Sequence, residues 1–240
     1  MTAGRKLMLV EDDESLGFLI KDTLDSSGWD VYLYTNGAQG LSGFHNNEFD
    51  LCVLDIMLPY RDGFDLAREI RKYNQTVPII FLTAKSQTED RIRGFQVGAD
   101  DYVCKPFSIE EFKYRIEAIL KRSSLAYTPK TTLLKAGNST LDDQNLVLDS
   151  NGNVTRLTYK ECKLLQMFFR HSGKLVEREV FLKSIWADDG FFVARSMDVF
   201  VSKLRKYLRY DPSLRIENIR GVGYILKESL KATVREETTK

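Results

Sequence analysis

Between residues 6 and 122 short apolar runs alternate with amphipathic stretches. Leu7 to Val10, Val31 to Tyr34, Leu51 to Leu54, Ile79 to Thr83 and Tyr102 to Cys104 read as buried strands. Helical spacing follows at Leu16, Leu19, Ile20 and Leu24, at Phe64, Ala67 and Ile70, and at Ile109, Phe112, Ile116, Ile119 and Leu120. Five such βα units with nearly all-apolar strands predict an α/β fold, a parallel sheet covered on both faces. Its ligands should gather at the carboxyl ends of the strands.

The pattern changes after residue 122. Ser and Thr become frequent, Pro129 appears and helical periodicity ends, so 123–134 is expected to link a first domain at 1–122 to a second at 135–228, with a polar tail at 229–240. Asn145 to Leu148 and Val154 to Leu157 flank a polar cluster containing Asn151-Gly152 and predict a hairpin. Thr158-Tyr159-Lys160-Glu161 has capping-box spacing, with Leu164, Leu165, Phe168 and Phe169 as the stripe behind it and a stop near Gly173. Helices are expected over Glu179 to Trp186 and Arg195 to Leu208, and β-like structure over Arg215 to Leu226.

Composition narrows the class. No uninterrupted apolar run exceeds four residues, far short of the ~18 that a membrane span needs, and the first apolar stretch stops at Glu11-Asp12-Asp13, too soon for a signal peptide. No membrane partner and a cytoplasmic location are expected. Cys52, Cys104 and Cys162 lie far apart in apolar surroundings and read as small buried hydrophobes, without disulfide or zinc. The net charge of +1 conceals an asymmetry: 15 basic against 20 acidic residues up to 122, then 20 against 14. An acidic module of that kind suits a metal, and a basic one suits nucleic acid.

In the acidic half, Glu11 and Asp12 close the first strand, Asp55 the third and Thr83 the fourth, while Lys105-Pro106 follows the fifth. Converging carboxylates repel one another, and a hard cation with oxygen ligands, Mg²⁺, relieves that repulsion. Asp55 can then attack phosphorus in line while Mg²⁺ and the Lys105 ammonium neutralise the equatorial oxygens and Thr83 hydrogen-bonds the third. Neither a P-loop nor a D-x-D-x-T/V phosphatase pattern is present, and neither His45 nor His171 lies in a phosphate-accepting motif.

Glu11-Asp12, Asp55-Ile56-Met57-Leu58-Pro59, Thr83-Ala84 and Asp100-Asp101-Tyr102 leading to Lys105-Pro106-Phe107 resemble the receiver domain of two-component response regulators over residues 5–122. The resemblance implies a flavodoxin-like (βα)5 fold with strand order 2-1-3-4-5, a metal contact from the Met57 carbonyl and a cis Lys105-Pro106 bond. It also implies a histidine kinase as phosphodonor, and a Thr83/Tyr102 switch pair. Asp13 and Glu14 become surface acids beside the site. A homodimer formed on phosphorylation is implied too, pairing Arg91 with Glu111, Asp101 with Arg115 and Asp100 with Arg122. Tyr60-Arg61 departs from the pattern, since smaller residues usually follow the acceptor there and leave more room for small phosphodonors.

In the basic half, Met197, Val201, Leu204 and Leu208 place one apolar stripe on the predicted helix. Arg195, Val199, Ser202, Lys203 and Lys206 fall on the opposite face, flanked by Phe200 and Arg205. A cationic face suits the major groove of promoter DNA, and Arg220, before Gly221-Val222-Gly223, suits a narrow minor groove. Lys203 is assigned to a base edge because it faces outward in mid-helix. These segments, with Trp186 and Tyr224, resemble the α+β winged-helix effector of the OmpR/PhoB subfamily over 140–227. That resemblance implies a recognition helix at 195–208, a wing at 216–225 and a loop at 186–194 that faces RNA polymerase. A phosphorylation-controlled transcription regulator follows, not an enzyme that turns over substrate. The rival readings are a stand-alone phosphohydrolase and a phosphate-independent dimerisation module.

Overall fold

The computed structural model describes residues 5–84, 93–94, 96–124, 133–186 and 191–229, and the side chains of all of these except 121–124, 186 and 191–196. Strands β1 (Lys6–Val10), β2 (Asp30–Tyr34), β3 (Leu51–Asp55), β4 (Ile79–Thr83) and β5 (Asp101–Cys104) form a parallel sheet in the order β2-β1-β3-β4-β5, as the resemblance implies. Alternation along each strand fills two cores. Leu7, Leu9, Val53 and Ile80 pack with Ile20, Leu24, Phe112 and Ile116 on one face, and Met8, Val10, Leu54 and Phe81 pack with Phe64 and Ile70 on the other. Among the described residues the covering helices are α1 (Glu14–Asp25), α2 (Gly37–Asn46), α3 (Gly63–Tyr73) and α4 (Ile109–Ser124), and the expected helix between β4 and β5 falls on a stretch of which 85–92 and 95 lie outside the described residues. Asp13, expected as a mere surface acid, accepts the Ser15 and Leu16 amides as the N-cap of α1, and Asn36 and Asp62 cap α2 and α3 in the same way.

In the second half β6 (Leu133–Ala136), β7 (Ser139–Asp142), β8 (Val147–Ser150) and β9 (Asn153–Arg156) make an antiparallel meander. Then follow α5 (Tyr159–Arg170), β10 (Leu175–Glu177), α6 (Arg178–Trp186), α7 (Phe191–Leu208), β11 (Leu214–Ile219) and β12 (Gly223–Glu228). The last sheet runs β10-β12-β11, antiparallel throughout. The β8–β9 turn places Asn151 and Gly152 at φ 52° and 87°, the left-handed pair that a two-residue hairpin requires. Its strands lie closer to that turn than the apolar pattern alone places them.

The stretch expected as a linker, 123–134, overlaps α4 at one end and β6 at the other, and 125–132 lie outside the described residues. Helix α7 starts at Phe191, four residues before the expected Arg195. Cys52 and Cys162 are buried as expected, but Cys104 is exposed, because it is the last residue of an edge strand. Among the described residues no helix is long and apolar enough to cross a membrane.

Candidate functional site

Parallel strands deliver their last residues to one edge, and the acidic residues meet there. Ligand oxygens of Glu11, Asp12 and Asp55 lie within 4.8 Å of one another. Glu11 and Asp55 are buried, whereas Asp12 is exposed. The Lys105 ammonium bridges the buried two, 2.7 Å from Glu11 Oε1 and 2.5 Å from Asp55 Oδ2. It arrives from the loop after β5, where Lys105-Pro106 is cis. The Met57 amide donates to Asp55 Oδ1 at 2.7 Å, and Thr83 is fully buried at the end of the adjoining strand. Gly63 closes the loop beneath: a Cβ there would fall inside van der Waals distance of the Asp55 carbonyl oxygen. Gly63→Ala should therefore cost about 1 to 3 kcal/mol of stability, read by urea denaturation.

Two observations fit this cradle to a divalent cation. Glu11 Oε2 is buried with no hydrogen-bond partner among the described residues. Burial first, and then the neighbouring Asp55 charge, push the Glu11 carboxyl up to about 7 despite Lys105. One ammonium does not balance the acids, and an oxygen-seeking cation such as Mg²⁺ would. A raised folded-state value means that the native chain holds a proton which the unfolded chain has lost. Without added metal, stability should therefore fall as pH rises from about 4.5 to about 7. Urea titrations across that window should show a shallower decline for Glu11→Gln.

Tyr60 has left-handed backbone (φ 67°) and is 93% exposed, so its ring stands in solvent and does not cover the carboxylates. The Tyr102 ring is turned inward, 4% exposed and 5.3 Å from the Phe81 ring. Its hydroxyl occupies the space that a Cβ on Gly94 would need. Of the six residues expected at a dimer surface, Asp101, Glu111 and Arg115 stand together, with Arg115 bonded to Asp101 at 3.1 Å and to Glu111 at 2.7 Å within the one chain. Asp100 does not stand with them. It is 5% exposed, accepts the Ile79 amide at 2.9 Å and lies 3.5 Å from Arg71, because its side chain closes the entry to β4. Arg91 lies outside the described residues, as do the side chains of Arg122 and Arg195.

Among the described side chains of α7 the exposed ones are Asp198, Ser202, Arg205 and Lys206, followed by Arg209 after the helix. Two expectations are corrected. Phe200 is fully buried, and Lys203 turns aside to pair with Glu161 at 3.0 Å with its side chain 21% exposed. Val201 and Leu204 dock the helix in a rotation that carries 200 inward and 203 to the flank. Arg205 Nε donates to the Ile216 carbonyl at 3.0 Å, while Arg209, which the sequence pattern does not single out, lines a cleft of about 690 Å³ between α7 and β11. Arg220 is exposed in the β11–β12 turn, beside Gly221 at φ 75°. Beneath them Asp198 accepts from Arg178 at 2.9 Å and from the Tyr224 hydroxyl, joining α7 to α6 and to β12.

Acidic residues and a lysine gathered at the carboxyl edge of a 2-1-3-4-5 sheet, joined to a helix-and-hairpin domain with a cationic outer face, define a signal-receiving module coupled to a DNA-binding one. Comparison with known proteins agrees: residues 7–117 match the response regulator receiver domain, and residues 152–226 match the C-terminal domain of transcriptional regulatory proteins. The chain is 47% identical to the transcriptional regulatory protein RprY of Bacteroides fragilis, over 92% of this chain and 94% of that one. It is 35% identical to TrcR of Mycobacterium tuberculosis, over 92% and 86%. A solved structure of a RitR mutant is similar in fold with a TM-score of 0.70 at 24% identity, covering 94% of this chain and all of that one. The chain belongs to the two-component response regulators of the OmpR/PhoB type. It is a phosphorylation-dependent, DNA-binding transcription regulator of a two-component system.

Proposed function

We propose that Asp55 is the phosphoacceptor, that Glu11, Asp12, Asp55 and the Met57 carbonyl hold Mg²⁺, and that the donor is a histidine kinase. The observation that carries this is the Lys105 bridge between Asp55 and Glu11. When bound, Mg²⁺ would supply charge neutralisation for the phosphoryl oxygens. Asp55 Oδ2 supplies the electron pair that forms the new O–P bond, and the donor's imidazole leaves with the pair of the broken N–P bond. Lys105 swings from carboxylate to phosphoryl oxygen, and the Thr83 hydroxyl donates to another, with Tyr102 held inward behind it.

Asp101, Glu111 and Arg115 then exchange pairs within the chain for pairs across a receiver dimer that includes Arg91 and Arg122. Each exposed pair is worth about 0 to 1 kcal/mol, so they orient the partners more than they bind them. The recognition helix and wing bind promoter DNA through Arg195, Ser202, Arg205, Lys206 and Arg220. The segment 186–194 faces RNA polymerase. Its residues 187–190 lie outside the described residues. Sedimentation and DNA titration with Mg²⁺ and a small acyl-phosphate donor test the whole reading. A larger dimer fraction and tighter binding to tandem half-sites about 10 bp apart are expected. An unchanged monomer fraction after phosphorylation is established would remove the dimer step.

A further inference from the structure

Charged side chains from both halves of the chain converge at one place away from the acidic edge. On the receiver, Arg71 donates to the carbonyls of Val77 at 2.6 Å and Gly98 at 2.8 Å and faces Asp100. On the effector, the first turn of α5 is buried to a degree unusual for its composition: Thr158 is 7% exposed, Lys160 5% and Glu161 2%. The two surfaces touch. A Cβ on Gly98 would lie 3.3 Å from Arg71 Nε and 3.3 Å from Thr158 Cγ2, and Gly98 holds φ +96°, which only glycine adopts without strain. Lys160 and Glu161 act electrostatically on Asp100, and Glu161 acts on Arg71. A cavity of about 230 Å³ remains between the halves, walled by Arg71 and Gln75 on one side and by Arg156, Thr158, Glu161 and Lys203 on the other.

We propose that the first turn of α5, Thr158 to Glu161, is a docking element through which the effector binds its own receiver at Gly98 and Asp100. The signs of charge alternate across the junction: Arg71 and Asp100 on the receiver meet Lys160 and Glu161 on the effector, and Glu161 in turn holds Lys203. Glu161 serves twice, since Oε2 accepts the Thr158 amide at 3.0 Å in the capping box while Oε1 takes Lys203. The helix cap and the docking surface are thus one structure. Docking covers the receiver surface around Gly98 and ties Lys203, a residue of the recognition helix, to the junction. Docking concerns the chain with Asp55 unmodified, so it can fail without touching the phosphoacceptor reading, and the reverse.

The test is amide hydrogen exchange and small-angle scattering on the full unphosphorylated chain, comparing the parent with Lys160→Glu and Gln75→Arg. Lys160→Glu places a like charge against Asp100. Gln75→Arg adds a fourth cation to a cavity walled by Arg71, Arg156 and Lys203 against one acid, Glu161, which Lys203 already holds, and it does so at an exposed receiver position whose change leaves both cores intact. Exchange at 96–100 and 156–162 should rise by at least about tenfold in both variants, with a larger radius of gyration and unchanged protection in β1 and β3. Parental exchange and radius in Gln75→Arg would overturn docking, even where Lys160→Glu opens, because a buried lysine can disturb its own domain alone.

Discussion

Asp55→Asn is expected to incorporate at least about 100-fold less phosphoryl group than the parent chain, from kinase or acyl-phosphate donor alike. The amide cannot supply the anionic oxygen that forms the bond, and Glu11, the other buried carboxylate, is held by Lys105 with its second oxygen enclosed. Intact-mass measurement before and after hydroxylamine reads the result. Undiminished labelling of the variant would move the acceptor elsewhere. Lys105→Ala keeps the nucleophile but leaves Glu11 and Asp55 facing each other without their shared cation, and should label about 10- to 1000-fold more slowly.

The second large effect concerns DNA. Lys206→Ala and Arg209→Ala should each lower the slope of log K against log[salt] by about 1, with similar loss on specific and scrambled duplexes, because Lys206 is exposed in the last turn of α7 and Arg209 is exposed directly after it. Arg220→Ala should instead cost about 1 to 3 kcal/mol at one position of the site, as expected of a groove contact from the wing turn. Lys203→Ala should leave the slope unchanged, since Glu161 already holds its ammonium. Titrations of the four variants at several salt concentrations separate these outcomes. A slope that falls with Lys203→Ala would return that residue to the DNA face.

The five receiver strands and the acidic edge are legible in the sequence because each depends on local pattern, continuous apolar runs for the strands and acids placed directly after them, whereas the strand order is legible only through the family resemblance. The capping box of α5 is legible for the same reason, its two hydrogen bonds lying within four residues. What escapes is set by tertiary packing. Strands β6 and β7 give no signal because their stretch, Leu133 to Asp142, carries little apolar alternation. Its anchor is the buried Ser139 hydroxyl, which donates to Asp211 at 2.8 Å, 72 residues away. The rotation of α7 differs from the pattern because ideal helical spacing treats Phe200 as a flank, whereas a large ring gains most by entering the core. Asp100 reads as a surface acid because its sequence neighbour Asp101 is one. Only the fold reveals that Arg71 and the Ile79 amide draw it inward.

The clamp of Asp198 with Arg178 and Tyr224 has a mechanical meaning for any duplex the effector meets. It fastens the first described side chains of α7 to α6 and β12, so helix and wing cannot slide past each other without breaking it. The protein then works as a caliper with fixed jaws. The distance between what the helix touches and what the wing touches belongs to the protein, and the DNA must supply the matching twist and groove width. Sequences that are stiff at the wrong twist would be refused at base pairs that no side chain reaches.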